Sequence, residues 1–376
     1  MINYKKWLLY IIINILSLFF IITLIQLVTD PNGIWSIINV DGFNKYKNHV
    51  LSDRMTKLYC IKRCKPTNLM LGTSRIEALD PKYLEKYIQG QTYNLGLIGA
   101  NAYEQYRYLQ YVVSNYDIKN VIWGIDFFSF NPEREPSLGF EEKRLENTYY
   151  FKDYFDSILS FTVLKNSFLT LRDNVLRRKI VSYDYTIGSF IDLSPELRAK
   201  NISYIKKQIA LSLKSYASEK HFFNNLEFKN PSSISQNVKY MQEVFNICKS
   251  RNICLKVYIC PIYSAHFDLI YKMGLGNTFE QWKRNIIQLA DFYDFTGHNS
   301  ITDDLKYYQD SSHILTEYAG LIFARIYNDK AVKVPSDFGI LVTKTNIEKH
   351  LNDLREQVKD IDLEAIKKIT FSSKDP

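Results

Sequence analysis

The chain has 376 residues, 46% of them hydrophobic and 15% aromatic, enough for one large domain with insertions or two ordinary ones and too apolar for extended disorder. Its formal charge of +8 comes from 48 basic and 40 acidic residues spread along the chain, which suits a solvated surface facing an anionic envelope. Zinc-finger spacing, RNP-like aromatic motifs and basic stripes are lacking, which argues against nucleic-acid binding.

In chain order the first element is Trp7–Val28, WLLYIIINILSLFFIITLIQLV, a run without a charge. As a helix it would be about 33 Å long, enough to cross a bilayer core. A cleaved signal peptide would have a shorter apolar region and a small-x-small cleavage site, which Leu27-Val-Thr-Asp30 does not offer. A wholly apolar core helix of this length is out of place at an extreme N-terminus. Lys5 and Lys6 precede the run and the next basic residue is Lys45, so the positive-inside rule puts residues 1–6 in the cytoplasm and the rest outside. Trp7, Tyr10 and Trp35 suit interfacial anchors. The expectation is a single-pass protein of the inner or plasma membrane, held in the lipid bilayer by residues 7–28.

The five cysteines then lie where disulfides can form. Their odd number prevents complete internal pairing. Cys60 and Cys64 either pair locally or stay free, and Cys248 and Cys260 read as core positions. No histidine accompanies them as in a zinc site, and neither a metal nor a cofactor is expected.

Beyond a juxtamembrane segment (29–65), Thr67–Leu71 is a short apolar run ending in Gly72, as in a buried parallel strand feeding a tight turn. Gln91–Leu95 leads likewise to Gly96 and Gly99. Ala102–Tyr116 places Tyr106, Leu109, Val112, Val113 and Tyr116 on one helical face. Asn120–Phe128 contains a third strand. Residues 132–235 break the alternation and read as a mainly helical insertion, including Phe151–Asn174, that forms part of a lid or substrate groove. Val238, Met241, Val244, Phe245 and Cys248 keep helical spacing before the strand Ile253–Cys260, and Ala319, Ile322, Phe323 and Ile326 mark a later helix. Residues 331–376 form an extension with a charged helix near Asn346–Lys359. The alternation implies an α/β fold, a parallel sheet with helices on both faces, built from residues 66–131 and 236–330. Ligands of such sheets bind at the carboxyl ends of the strands, and Ser74, Gly99, Asp126 and Pro261 all fall there.

Gly72-Thr-Ser74-Arg75 and Asp310-Ser-Ser-His313 together hold the parts of a Ser-His-Asp site. A serine hydroxyl needs an adjacent imidazole to take its proton, and the imidazole needs a carboxylate to fix its tautomer. Ser74 is either that nucleophile or the N-cap of a helix; His313 is either the base or a surface histidine.

Four blocks in this order resemble the SGNH (GDSL-like) hydrolase superfamily. The likeness is narrower to its membrane-anchored extracytoplasmic branch, which includes teichoic-acid D-alanylation and alginate O-acetylation proteins. Gly72-Thr-Ser74 stands where that family has Gly-Asp-Ser, Asn94-x-Gly96-x-x-Gly99 resembles its Asn-x-Gly-x-x-Gly turn, Gly124-Ile-Asp126 takes the place of Gly-x-Asn-Asp, and Asp310-Ser-Ser-His313 resembles the closing Asp-x-x-His. The resemblance implies a three-layer, flavodoxin-like sheet. It makes Ser74 the nucleophile, His313 the base and then acid, Asp310 its orienting carboxylate, and the amides of Ser74 and Gly99 the oxyanion hole.

Asp126 departs from the pattern, because an ionised carboxylate cannot donate to an oxyanion as Asn would. Arg75 either pairs with Asp126 or recognises an anionic substrate, and His266 either contacts substrate or is structural. His298 reads as a stabiliser of the nearby loop. The function implied is a membrane-tethered serine esterase or O-acyltransferase acting on acyl esters of an envelope glycan or other acylated carbohydrate. A membrane-bound acyltransferase is an implied partner. The alternative is a non-catalytic component of an envelope-polymer assembly that binds glycan or a partner.

Overall fold

The computed structural model describes residues 4–47, 53–146, 151–176, 181–184, 187–192 and 202–368. Parts of the expected cytoplasmic segment, insertion and C-terminal extension lie outside the described residues. Two compact units emerge: residues 1–64, 141–186 and 191–193, and residues 65–140, 187–190 and 194–376. The segment read as one insertion is therefore shared between them.

In the first unit, α1 (Tyr4–Thr29) is long and apolar enough to cross a membrane. It is exposed through most of its length and meets protein only in its last turns, where Gln26 and Thr29 are buried. Asp30 (φ 41°) ends it and accepts from the amides of Ile34 and Ser36, both at 2.8 Å. Helix α2 (Asp53–Cys64) carries Cys60 and Cys64 one turn apart, and no disulfide joins them.

The second unit holds the strands β1 (Asn68–Gly72), β2 (Thr92–Gly96) and β3 (Asn120–Ile125). The short helix α3 (Ser74–Glu77) follows β1, and α4 (Ala102–Asn115) follows β2. The insertion contains α5 (Glu142–Glu146), α6 (Phe151–Leu159), α7 (Phe161–Val175) and two short strands, β4 (Val181–Asp184) and β5 (Ser189–Asp192). Later come β6 (Cys254–Ile259), β7 (Phe292–Asp294) and β8 (Ile340–Val342). The main sheet runs β2-β1-β3-β6-β7-β8, parallel except for β8.

The antiparallel edge differs from the all-parallel expectation. Three-residue strands are too short to alternate visibly, and β8 comes from what read as a C-terminal extension. The period-2 geometry of the strands sorts the core. Met70, Ile122 and Tyr258 face a cluster with Ala319, Ile322 and Phe323 of the helix Ala319–Ile326. Trp123 points the other way, donating to Gln105 of α4 at 2.7 Å and meeting the Phe245 ring of the helix Ser235–Ser250. Helices therefore cover both faces.

The buried carboxylate of Asp294 ties the helices Gly276–Leu289 and Ile347–Gln357 to the sheet. Asp294 accepts from Lys283 Nζ at 2.5 Å and lies 2.8 Å from His350 Nε2. Burial alone would raise the Asp294 carboxyl, but the Lys283 ammonium and His350 override it and hold it well below the usual carboxylate range. A carboxylate depressed in the folded state stabilises fully above its unfolded value of about 3.9, and the contribution is lost as pH falls through the folded value. Urea unfolding midpoints measured against pH should therefore drop below about pH 4. Asp294→Asn should be less stable at pH 7 and flatter across that acidic range.

Candidate active site

The position of Ser74 follows from how β1 ends. Gly72 pairs with Gly96 at the carboxyl ends of β1 and β2, and the Leu97 amide donates to the Gly72 carbonyl at 2.9 Å. A Cβ on Gly96 would lie 2.3 Å from the Glu77 nitrogen, so only glycine lets α3 seat directly on the strand ends. Asn94 braces the same turn: its Nδ2 donates to the carbonyls of Ile76 at 2.6 Å and Leu79 at 2.8 Å. Thr73, not Ser74, is the N-cap, its side chain accepting from the Arg75 amide. Ser74 is thereby released from the capping alternative and remains half-buried and reachable.

His313 Nε2 lies 2.9 Å from Ser74 Oγ. On the other side of the ring, Nδ1 lies 2.8 Å from Asp310 Oδ2 and 3.0 Å from Oδ1. Asp310 Oδ1 also accepts from the amides of Ser312 at 2.6 Å and His313 at 2.9 Å, which closes the loop into a rigid Asx turn. Burial would raise the Asp310 carboxyl, but His313 beside it and these amides hold it below its ordinary value. Asp310 therefore stays an acceptor, the imidazole carries its proton on Nδ1, and Nε2 is left to accept from the serine.

Among the described residues, the backbone N–H groups of Ser74 and Gly99 have no hydrogen-bond acceptor. Gly99 holds φ +64°, a left-handed conformation natural to glycine, and its carbonyl accepts from Arg134 Nε at 2.8 Å. Both amides sit just beyond the paired ends of β1 and β2. Chemically, the arrangement is able to deprotonate a hydroxyl and offers two donors to a developing oxyanion.

Arg75, Asp126 and His266 are brought close to this site but are buried beneath it. Arg75 is 6% exposed, and its Nη1 meets Asp126 at 2.5 Å. Its Nε donates to the Ser312 carbonyl at 3.2 Å, and Nη2 to Ser312 Oγ at 3.2 Å and Tyr216 Oη at 3.3 Å. Burial would lower the guanidinium, but Asp126 raises it above its ordinary value. Asp126 also accepts from Thr73 Oγ1. The ion-pair reading of these two residues is therefore the one realised, and both side chains are buried in that pair.

His266 is 0% exposed, and its Nδ1 lies 3.1 Å from Ser311 Oγ, beneath the Asp310–His313 loop. Burial, then Arg75, pushes the ring well below its ordinary value and keeps it neutral. Arg75, Asp126 and His266 line a small cavity with room for about one water. The structural reading of His266 is the one seen here, with the ring buried against the loop. His298, placed 2.6 Å from Asp303 and 3.1 Å from Asp268, clamps the preceding loop.

Sequence reasoning missed Tyr216 and Ser312. Tyr216 comes from the helix Ile202–Ser218, inside the presumed insertion, and lies 3.0 Å from Ser312 Oγ. The only local signal was an aromatic residue at helical spacing, indistinguishable from ordinary packing. Among the described residues no group of three or more His, Cys, Asp or Glu side chains is arranged to hold a metal ion. Comparison of the chain with protein-family models, curated proteins and solved structures returns no match.

Proposed function

We propose that the chain is a membrane-anchored, extracytoplasmic serine esterase or O-acyltransferase acting on acyl esters of an envelope polysaccharide. The observation that carries this reading is the unbroken run Asp310–His313–Ser74, with 2.8 Å and 2.9 Å links. Support also comes from the order of the five parallel strands, β2-β1-β3-β6-β7, which has the 2-1-3-4-5 pattern of flavodoxin-like sheets expected of an SGNH hydrolase. The α1 helix supplies a tether, and the basic residues before it favour an outward-facing body.

In this mechanism His313 Nε2 takes the Ser74 proton as Oγ attacks the ester carbonyl carbon. The amides of Ser74 and Gly99 bind the resulting oxyanion. Collapse breaks the bond to the glycan oxygen, which leaves with the proton held on His313, and the acyl group remains on Ser74. Water or a second sugar hydroxyl then attacks the acyl carbon as His313 takes its proton; the bond to Ser74 Oγ breaks, and His313 returns that proton to Oγ, restoring the free serine.

The engagement of Asp126 by Arg75 and Thr73 leaves the family's third donor unfilled, which favours a second reading: a non-catalytic glycan- or partner-binding component. The full-length protein in detergent, incubated with an O-acetylated polysaccharide and a soluble sugar acceptor, separates these readings by NMR. Free acetate marks hydrolysis, and acetylated acceptor marks transfer. Binding of the polysaccharide with neither product, unchanged in Ser74→Ala, would establish the non-catalytic role.

A further inference from the structure

The helices beside α1 wear their polarity inside out. In α6, Asp153 and Ser157 point inward, whereas Phe151, Phe155 and Leu159 are 73%, 59% and 47% exposed. Their four-residue spacing sets the three apolar side chains on one face. In α7, Ser167, Thr170, Asp173 and Asn174 are buried, whereas Phe161 and Phe168 are 83% and 56% exposed.

Much of the polar interior has matched partners, although the buried hydroxyls of Ser167 and Thr170 have none among the described residues. Arg144 grips Asp153 through bonds of 2.6 Å and 2.8 Å. Trp35 Nε1 donates to Ser157 Oγ at 2.9 Å, and Asn174 Nδ2 donates to the Tyr46 carbonyl at 2.6 Å. The outward turn of the phenylalanines is therefore fixed by what the opposite faces bind. Soluble proteins rarely present a contiguous band of this kind to water. A helix with its large apolar groups outside is suited to an apolar solvent.

The neighbouring element identifies that solvent. α1 packs against both α6 and α7. In its last turns, Gln26 Nε2 donates to the carbonyl of Ser160, the residue joining α6 to α7, at 3.1 Å. The joint therefore sits at the level where a membrane-spanning α1 emerges from the hydrocarbon. Exposed Lys152, Lys165 and Arg172, with Asp156, share these two helices with the apolar band; Lys152 pairs with Glu141 and Arg172 with Asp173, and long basic side chains of this kind suit helices lying among lipid headgroups.

We propose that α6 and α7 form a second membrane contact, lying in the bilayer interface beside α1 with Phe151, Phe155, Leu159, Phe161 and Phe168 among the acyl chains. The contact depends on α1 spanning the bilayer and is independent of the ester chemistry. It gives this unit a two-point seat, so that its orientation to the membrane is set by contact rather than by a flexible tether.

The test is photolysis of the full-length protein in nanodiscs containing a phospholipid with an acyl-chain diazirine, followed by peptide mapping. Adducts are expected in residues 151–176 as well as in the span 7–24. In the double variant Phe155→Asp/Phe161→Asp, adducts in 151–176 should fall roughly five-fold or more while those in the span persist. Adducts confined to the span, or absent from it, would overturn the proposal. So would cross-links joining this face to a second copy or to another protein instead of lipid. The wild-type map is decisive by itself if the variant fails to fold.

Discussion

Ser74→Ala and His313→Ala each lower ester turnover by about ten-thousand-fold or more, leaving only what binding and the oxyanion amides supply. The two substitutions combined cost little more than either alone, because serine and imidazole act as one unit. Asp310→Asn gives a similar loss, since its amide no longer holds the Nδ1 proton in the needed tautomer. Ser74 is half-buried and does not cap its helix, so Ser74→Ala shifts unfolding by no more than about 0.5 kcal/mol. Steady-state kinetics beside thermal unfolding separates chemistry from folding. Loss of activity with equal loss of structure would indicate a scaffold role for these residues.

Asp126→Ala destabilises the protein by about 3–5 kcal/mol, because it strands a guanidinium buried beneath the site. The partner variant Arg75→Met leaves the Asp126 carboxylate with the Thr73 hydroxyl and the Cys260 thiol but no counter-charge, and is also destabilising. Combining Asp126→Leu with Arg75→Met removes both charges, so stability returns toward wild type. Activity does not return with it. Arg75 is the strut between α3 and the base loop, reaching both the carbonyl and the hydroxyl of Ser312 at 3.2 Å. Arg75→Lys cannot replace it, since one ammonium cannot hold Asp126, Ser312 and Tyr216 in the same fork. Urea unfolding and kcat measured on the four proteins distinguish the two effects. Recovery of both stability and kcat in the double variant would show that Arg75 positions nothing.

The parts of the fold that were legible in the sequence are those with a long local signal. The uncharged span, the buried strands at β1, β2, β3 and β6, and the helix from Ala319 each carry a run or period that needs no tertiary context. β7 and β8 were not legible because three residues cannot alternate convincingly, and β8 owes its place to pairing with β7.

The same division holds at the site. Ser74 and Gly99 were singled out by their position after strands, and Asp310 and His313 by a carboxylate three residues before a histidine. Arg75, Asp126 and His266 were found by the same logic, but their burial depends on packing from all sides, which no local window encodes. Tyr216 reaches Ser312 from a helix distant in sequence, and nothing in its own segment announces the contact. The inside-out faces of α6 and α7 were visible as apolar residues at helical spacing, and only the fold tells which side points inward.

The most direct measurement is intact-mass and peptide-mapped labelling of the full-length protein in detergent with a fluorophosphonate probe. This reagent reports a serine activated by a hydrogen-bonded imidazole, whatever the natural acyl group or glycan. The structure, with Ser74 Oγ 2.9 Å from His313 Nε2, predicts a single adduct on Ser74 that disappears in His313→Ala. A folded protein that stays unlabelled at Ser74, or is labelled there equally without His313, would contradict the account.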